Sequence, residues 1–180
     1  MLDARTRPTG VERSFAPDEI IVTKTDLQGR ITYANEVFLR VSALAEDEAV
    51  GRPHNLIRHP DMPRGVFRLL WDRLQSRQEL FAYVLNMATD GSHYWVFAHV
   101  TPSVGSTGAT IGYHSNRRLP SRTAVSAIQP LYREMLAAEA SAGSANEAAA
   151  RGYQVLVDTL AERGQTYDEF VWTLTTGAGR

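Results

Sequence analysis

The stretch Gly51–Trp71, GRPHNLIRHPDMPRGVFRLLW, decides the fold. Its centre, Asn55–Pro63, sets Arg58, His59 and Asp61 among two prolines. Pro60 and Pro63 fix φ at two points, and each pushes the residue before it out of the helical region. The segment is therefore expected to be a stiff, non-repetitive bend that holds its polar side chains at defined angles. Rigid polar bends of this kind usually border a binding site. Arg58 can fork onto phosphate or carbonyl oxygens. Asp61 can either hold His59 in one tautomer or cap the helix that Pro63 is placed to open. In that helix Val66, Phe67, Leu70, Trp71 and Leu74 follow helical spacing, so one buried stripe is expected.

Upstream, Glu19–Thr23 and Arg30–Tyr33 read as a hairpin around the turn signal Asp26-Leu27-Gln28-Gly29. Asn35 can cap a short helix carrying Val37, Phe38 and Val41. Glu46–Val50 allows a further helical turn that Gly51 ends. Downstream, Leu80–Met87 and His93–Thr101 are strands joined through Asp90-Gly91, and Thr110–Asn116 is a last strand. On the second of these, Tyr94, Val96, Ala98 and Val100 share the face that looks like core. His93, Trp95, Phe97 and His99 share the other. That face is too aromatic for water, so the N-terminal arm, the C-terminal helices or a second subunit should cover it. Asn86 interrupts its apolar strand, and a buried amide needs partners. The order β-β-α-α-α-β-β-β implies an α+β fold: an antiparallel sheet with helices over one face.

Residues 1–17 read as an arm, 18–120 as the sheet domain and 121–180 as a helical extension. Ser121–Ala140 is one helix that Pro130 should kink or split. Ser144 with Glu147, and Thr166 with Glu169, are capping boxes for two more helices. Fraying is expected from about Thr175 onward.

Composition removes several function classes. The formal net charge of −1 gives no bulk attraction to nucleic acid or anionic membrane. The absence of cysteine excludes disulfides, thiolate chemistry and cysteine metal sites. No apolar run reaches the roughly 20 residues of a membrane span, and no signal-peptide core begins the chain. A soluble, cytoplasmic protein is expected. There is no phosphate-cradling glycine loop, no HExxH and no nucleophile elbow, so catalysis is not expected.

Four blocks together carry a resemblance: DLQGRITYAN at Asp26–Asn35, GRPHNLIRHPDMP at Gly51–Pro63, DGSHYWV at Asp90–Val96, and GYHSNRR at Gly112–Arg118. The chain resembles the PAS sensor domains of bacterial aerotaxis receptors from about Phe15 to Arg118. The later Ile128-Gln129-Pro130-Leu131-Tyr132 resembles the family's exit helix. The resemblance implies a PAS fold, with a five-stranded antiparallel sheet and a cleft that in aerotaxis receptors holds FAD. It implies cofactor contacts by Arg58, His59, Asp61, Asn86, Leu80, Phe81, Trp71 and His54. Leu80, with Phe81 beside it, stands where the family commonly has a Trp. Asn86-Met87-Ala88-Thr89 stands where the family has a basic run, so fewer cations face a pyrophosphate. The resemblance further implies a freestanding sensor of redox or oxygen state that acts on a chemoreceptor or other signalling protein, or by forming a homodimer. Two other functions stay open: a cofactor-free interaction module whose cleft is filled by Leu80, Phe81 and Met87, and a gas sensor holding haem b through His54, His59 or His114.

Overall fold

The computed structural model describes residues 6–177; residues 1–5 of the arm and 178–180 of the tail lie outside the described residues. A hairpin comes first, β1 (Ile21–Thr25) and β2 (Ile31–Ala34). Asp26 Oδ1 builds its turn by accepting the N–H groups of Gln28 (2.9 Å) and Arg30 (2.8 Å). Helix α1 (Glu36–Ser42) is capped by Asn35, whose side-chain oxygen accepts from the Phe38 N–H. Then come α2 (Glu46–Ala49), a 3-10 turn (His54–Ile57) and α3 (Arg64–Gln75). The predicted bend is thus a single 3-10 turn followed by an irregular Arg58–Pro63 link. Strands β3 (Leu80–Met87), β4 (His93–Val104) and β5 (Thr110–Arg118) complete the domain.

The sheet is antiparallel throughout, in the order β2-β1-β5-β4-β3. Register aligns Leu80 with Val100, Ala82 with Ala98, Val84 with Val96 and Asn86 with Tyr94. It aligns Val100 with Ser115, Ala98 with Arg117, Thr23 with Ser115 and Ile21 with Arg117. Side chains alternate along a strand, so Thr23, Asn86, Tyr94, Val100, Ser115 and Arg117 share the face toward α1–α3.

The opposite face carries Phe81, Tyr83, Trp95 and Phe97. The C-terminal helices α4 (Arg122–Ala140) and α6 (Tyr167–Thr176) cover it, while α5 (Ala145–Arg163) packs along α3. Trp172 lies against Phe81 and Phe97, and Tyr132 stacks on Trp95. The arm contributes at one end, where Glu12 bridges His93 and Arg13 N–H donates to the His93 carbonyl.

β3 is an edge strand, and its free side is closed by side chains. Tyr132 Oη donates to the Tyr83 carbonyl at 2.6 Å, and Tyr167 Oη to the Phe81 carbonyl at 2.9 Å. The Leu85 N–H donates to Met62 Sδ at 3.4 Å. Edge strands left open template unwanted pairing.

Two expectations about the extension need correction. Pro130 does not split α4, which runs unbroken from Arg122 to Ala140. Pro130 and Ser126 both lie on the exposed side, so water can serve the carbonyl that the missing N–H leaves free. Helix α6 continues to Thr176, where Thr175 Oγ1 is 2.8 Å from Tyr83 Oη, and the fraying expected from about Thr175 falls mostly on residues 178–180, outside the described residues. The Thr166–Glu169 capping box forms; Glu147 instead turns its side chain to the Gly143 N–H while its own N–H is held by Ser144.

Candidate functional site

Between α3 and the sheet lies a cleft of about 260 Å³. One wall is apolar, with Ile57 from the 3-10 turn and Phe67, Leu70, Trp71 and Leu74 from α3, and Val100 of β4 faces it from the sheet. The sheet wall is polar: Thr23, Asn86, Ser115 and Arg117. At one rim Trp71 meets Tyr113 edge-on, with ring centroids 5.5 Å apart, and lies beside Gly29. A Cβ at position 29 would come within 3.3 Å of the indole, and its φ of +75° is one that glycine tolerates.

Among the described residues, three buried side-chain polar atoms have no hydrogen-bond partner: Asn86 Nδ2, Ser115 Oγ and Arg117 Nη1. All three residues line this cleft. Buried polar atoms are nearly always paired, so three unpaired ones on one cavity make it the candidate place for a ligand or ordered water to supply partners. Arg117 is 5% exposed. Its Nη2 donates to Thr23 Oγ1 at 3.0 Å and to His54 Nε2 at 2.7 Å. Because a guanidinium only donates, His54 Nε2 must be the acceptor, and the ring is neutral with its proton on Nδ1. Burial, reinforced by the Arg117 charge, holds the His54 pKa well below its ordinary value. Burial also lowers the Arg117 guanidinium to about 10, which leaves it charged at neutral pH.

A five-stranded sheet in this order, helices over one face and a ligand-sized cleft between them agree with the comparison to known families. A family model for the PAS fold matches residues 16–114.

The chain belongs to the PAS family.

Over 127 residues it is 38% identical to the aerotaxis receptor of Escherichia coli strain K12, covering 71% of this chain and 25% of that one. It is 27% identical over 99 residues to the nitrogen fixation regulatory protein of Klebsiella pneumoniae, covering 55% of this chain and 20% of that one. The chain thus spans a quarter or less of the length of these relatives. Among solved structures, a light-oxygen-voltage domain studied with a flavin analogue superposes with a TM-score of 0.55 at 18% identity, covering 64% of this chain and 86% of that one. The light-state LOV domain of the blue-light photoreceptor Aureochrome1 gives 0.52 at 21%, covering 68% and 93%. These two likenesses show the fold.

Of the eight residues expected at the cofactor, the PAS cleft brings four together: His54, Arg58, Trp71 and Asn86. Arg58 has two tasks. Its Nη2 donates to the Met62 carbonyl at 2.9 Å, which closes the Arg58–Pro63 loop, and its guanidinium lies 4.8 Å from the Phe67 ring centroid. Its backbone also bridges that of Asn86.

The other four lie outside the cleft. His59 is buried under the bend and edges toward His93. Its Nδ1 accepts the Asp61 N–H at 3.1 Å, so the ring proton sits on Nε2 when the ring is neutral. Burial lowers its pKa, against the opposing pull of Asp61. Asp61 caps nothing: α3 has no side-chain cap from its own preceding residues. Its first N–H groups point to Glu139 on α4, with Oε2 accepting from Arg64 and Oε1 from Gly65, both at 2.9 Å. Leu80 joins the core beside Val66 and Leu69. Phe81 faces the opposite side of the sheet and stacks on His99 at 4.1 Å. Neither Leu80, Phe81 nor Met87 fills the cleft.

Trp71 also departs from the expected buried stripe. It is 36% exposed, and Leu69 is buried in its place. Helix α3 has two working faces: Gly65 and Leu69 turn toward the C-terminal helices, while Phe67, Leu70, Trp71 and Leu74 line the cleft.

Thr23, Ser115 and Arg117 were not singled out from the sequence. The signal was there in strand parity. Tyr113, Ser115 and Arg117 alternate on one face of β5, and Arg117 was disguised by its position in a basic run that ends a strand. Among the described residues no cluster of His, Asp or Glu could hold a metal ion, and no helix is long and apolar enough to cross a membrane.

Proposed function

We propose that this chain is a non-catalytic, cytoplasmic PAS sensor that binds a flavin, as FAD, in the cleft beneath α3. The observation that carries the proposal is the convergence of three unpartnered buried polar atoms on one cavity. A flavin is a flat apolar ring system with a carbonyl-rich edge. The Ile57, Leu70 and Leu74 wall suits the ring faces, and Asn86, Ser115 and Arg117 suit the acceptor edge. When bound, a flavin supplies a redox state that changes its hydrogen-bonding pattern. The chain's own residues then decide how that change is felt. Asn86 is joined to Arg58 through its backbone, and Arg58 closes the loop that leads into α3.

The route outward runs through α3. Its N-terminus is held by Glu139 of α4, and Gly65 lies against the backbone of Gly152 and Tyr153 in α5. A shift of α3 would therefore be passed to the C-terminal helices, and from them to a signalling partner or a second copy. The relatives named for aerotaxis and for nitrogen-fixation regulation support a signalling role.

The cavity weighs against a cofactor-free module, because Leu80, Phe81 and Met87, proposed to fill it, do not line it. Of the three histidines weighed for haem, His59 does not line the cleft, His54 Nε2 is occupied by Arg117 at 2.7 Å, and His114 Nε2 is 3.0 Å from Asn116 Oδ1, which weighs against histidine ligation there. An absorption spectrum tests the proposal. Protein as purified, or after incubation with FAD, should show the blue and near-ultraviolet flavin bands. A colourless protein that takes up no FAD overturns the flavin reading, and a Soret band would replace it with haem.

A further inference from the structure

We propose that Arg117 sets the charge of whatever occupies the cleft: the bound ligand must bring an anionic, or readily ionised, edge to this guanidinium. The inference deepens the flavin proposal and rests on the same cleft being the ligand site.

The argument is one of missing counter-charge. Among the described residues no Asp or Glu lines the cleft. The groups that face Arg117 are all neutral. Thr23, on β1, offers a hydroxyl at 3.0 Å. His54, on the 3-10 turn, is held neutral by burial and by Arg117 itself. Tyr94, on β4, is pushed up to about 12 by burial and stays protonated. Phe38, on α1, presents only its ring, 6.0 Å from the guanidinium carbon. A water molecule could satisfy the orphaned Nη1 hydrogen bond, but it carries no charge. Burying a cation without a partner is strongly unfavourable. Asn86 Nδ2 and Ser115 Oγ stand unpaired on the same wall, so the subsite offers free donors and a positive charge whose only acceptors, Thr23 Oγ1 and His54 Nε2, are neutral. It suits an imide, enolate, carboxylate or phosphate edge, and it rejects cations and ligands without acceptors.

If a flavin met this guanidinium with its carbonyl-and-imide edge, the positive charge would favour loss of the ring imide proton. The full-length chain should be titrated with FAD, alongside R117K and R117Q, with folding of each checked by circular dichroism. Wild type and R117K should bind, and R117Q should bind at least about tenfold more weakly, as expected for loss of a charge-assisted contact. In the wild-type complex the imide proton should be lost at lower pH than in free flavin, read from the absorption spectrum. Equal affinity of R117Q and wild type overturns the proposal. If R117Q does not fold, the wild-type titration alone decides: an imide ionisation unchanged or raised on binding overturns it. If no variant binds flavin, thermal unfolding with added inorganic phosphate or acetate separates the two claims. Stabilisation of wild type that R117Q lacks or, where R117Q does not fold, stabilisation that neutral acetamide does not reproduce keeps the anion subsite and discards the flavin. No such stabilisation discards both.

Discussion

Glu139 caps the helix that begins at Arg64, accepting its N–H at 2.9 Å from 75 residues away in sequence. Helix caps are normally supplied by the residue just before the helix. Here the preceding residues, Asp61 to Pro63, leave that task to the C-terminal extension. The N-terminus of the helix that walls the cleft is therefore completed by the segment that would carry the signal. Replacing Glu139 with Ala should lower stability by about 1–2 kcal/mol, in the range of a lost cap. Urea denaturation measures this. Glu139→Gln keeps one acceptor oxygen and should retain part of the difference.

Gly65 provides a second test of the same junction. A Cβ there would sit 2.4 Å from the Tyr153 backbone nitrogen and 2.5 Å from the Gly152 carbonyl carbon. Backbone cannot retreat as a side chain can, so Gly65→Ala should destabilise by about 1–3 kcal/mol despite its better helix propensity. It should also make residues 145–163 more open to proteolysis. A variant as stable as wild type, with an unchanged digestion pattern, would mean that the two helices do not pack this closely.

Trp71 reads differently from the structure than from its place on the expected apolar stripe of α3. Full burial of an indole would make Trp71→Ala cost about 3–5 kcal/mol. At 36% exposure, beside an open cleft, the expected loss is nearer about 1–2 kcal/mol. The larger effect should be on ligand retention, because the indole closes the rim against Tyr113. Denaturation and a binding titration on one preparation separate the two.

Stability should fall as the solution is acidified below about pH 6.5. His54 and His59 both have folded-state pKa values lowered by burial. The unfolded chain therefore binds protons first as pH drops through the ordinary histidine value, and it gains relative to the folded state. Each group contributes up to about 1.4 kcal/mol per pH unit between its unfolded and folded values. Stability should be flat above about pH 7.5 on this account. His54→Gln, whose carbonyl can still accept from Arg117, should flatten the acid limb. A profile in that variant identical to wild type would assign the slope elsewhere.

A fragment ending at residue 120 should be less stable than the whole chain and should aggregate. It would uncover Trp95, Phe97 and Phe81 on one sheet face. Light scattering and a thermal melt of fragment and full chain make the comparison. A monodisperse fragment of equal stability would show that the extension is thermodynamically independent.

Much of this was legible in the chain. The Asp26–Gly29 and Asp90–Gly91 turns fix two hairpins through local chemistry, and Asn35, Ser144 and Thr166 announce their helices by capping. Strand parity separated the Tyr94 face from the Trp95 face. The misses share a cause: they depend on partners distant in sequence. Nothing near Asp61 says that Glu139 will cap α3. A single-stripe pattern cannot show that α3 is held on two sides, with one of them a partly open cavity. Arg117 fell just past the strand expected at Thr110–Asn116, and only the assembled sheet, where β5 runs on to Arg118, shows that it is buried on the cleft wall.

The two tyrosine hydroxyls that close the outer side of β3 limit how this molecule can move. If α4 and α6 swung away from the sheet, the Tyr83 and Phe81 carbonyls would face outward with only water as donor, and a bare strand edge would be offered to any neighbouring chain. Wholesale release would turn a sensor into glue. On the proposed route, a message leaving through these helices would be a slide or a small tilt that keeps both phenols in place, a movement of fractions of a helical turn instead of an opening door.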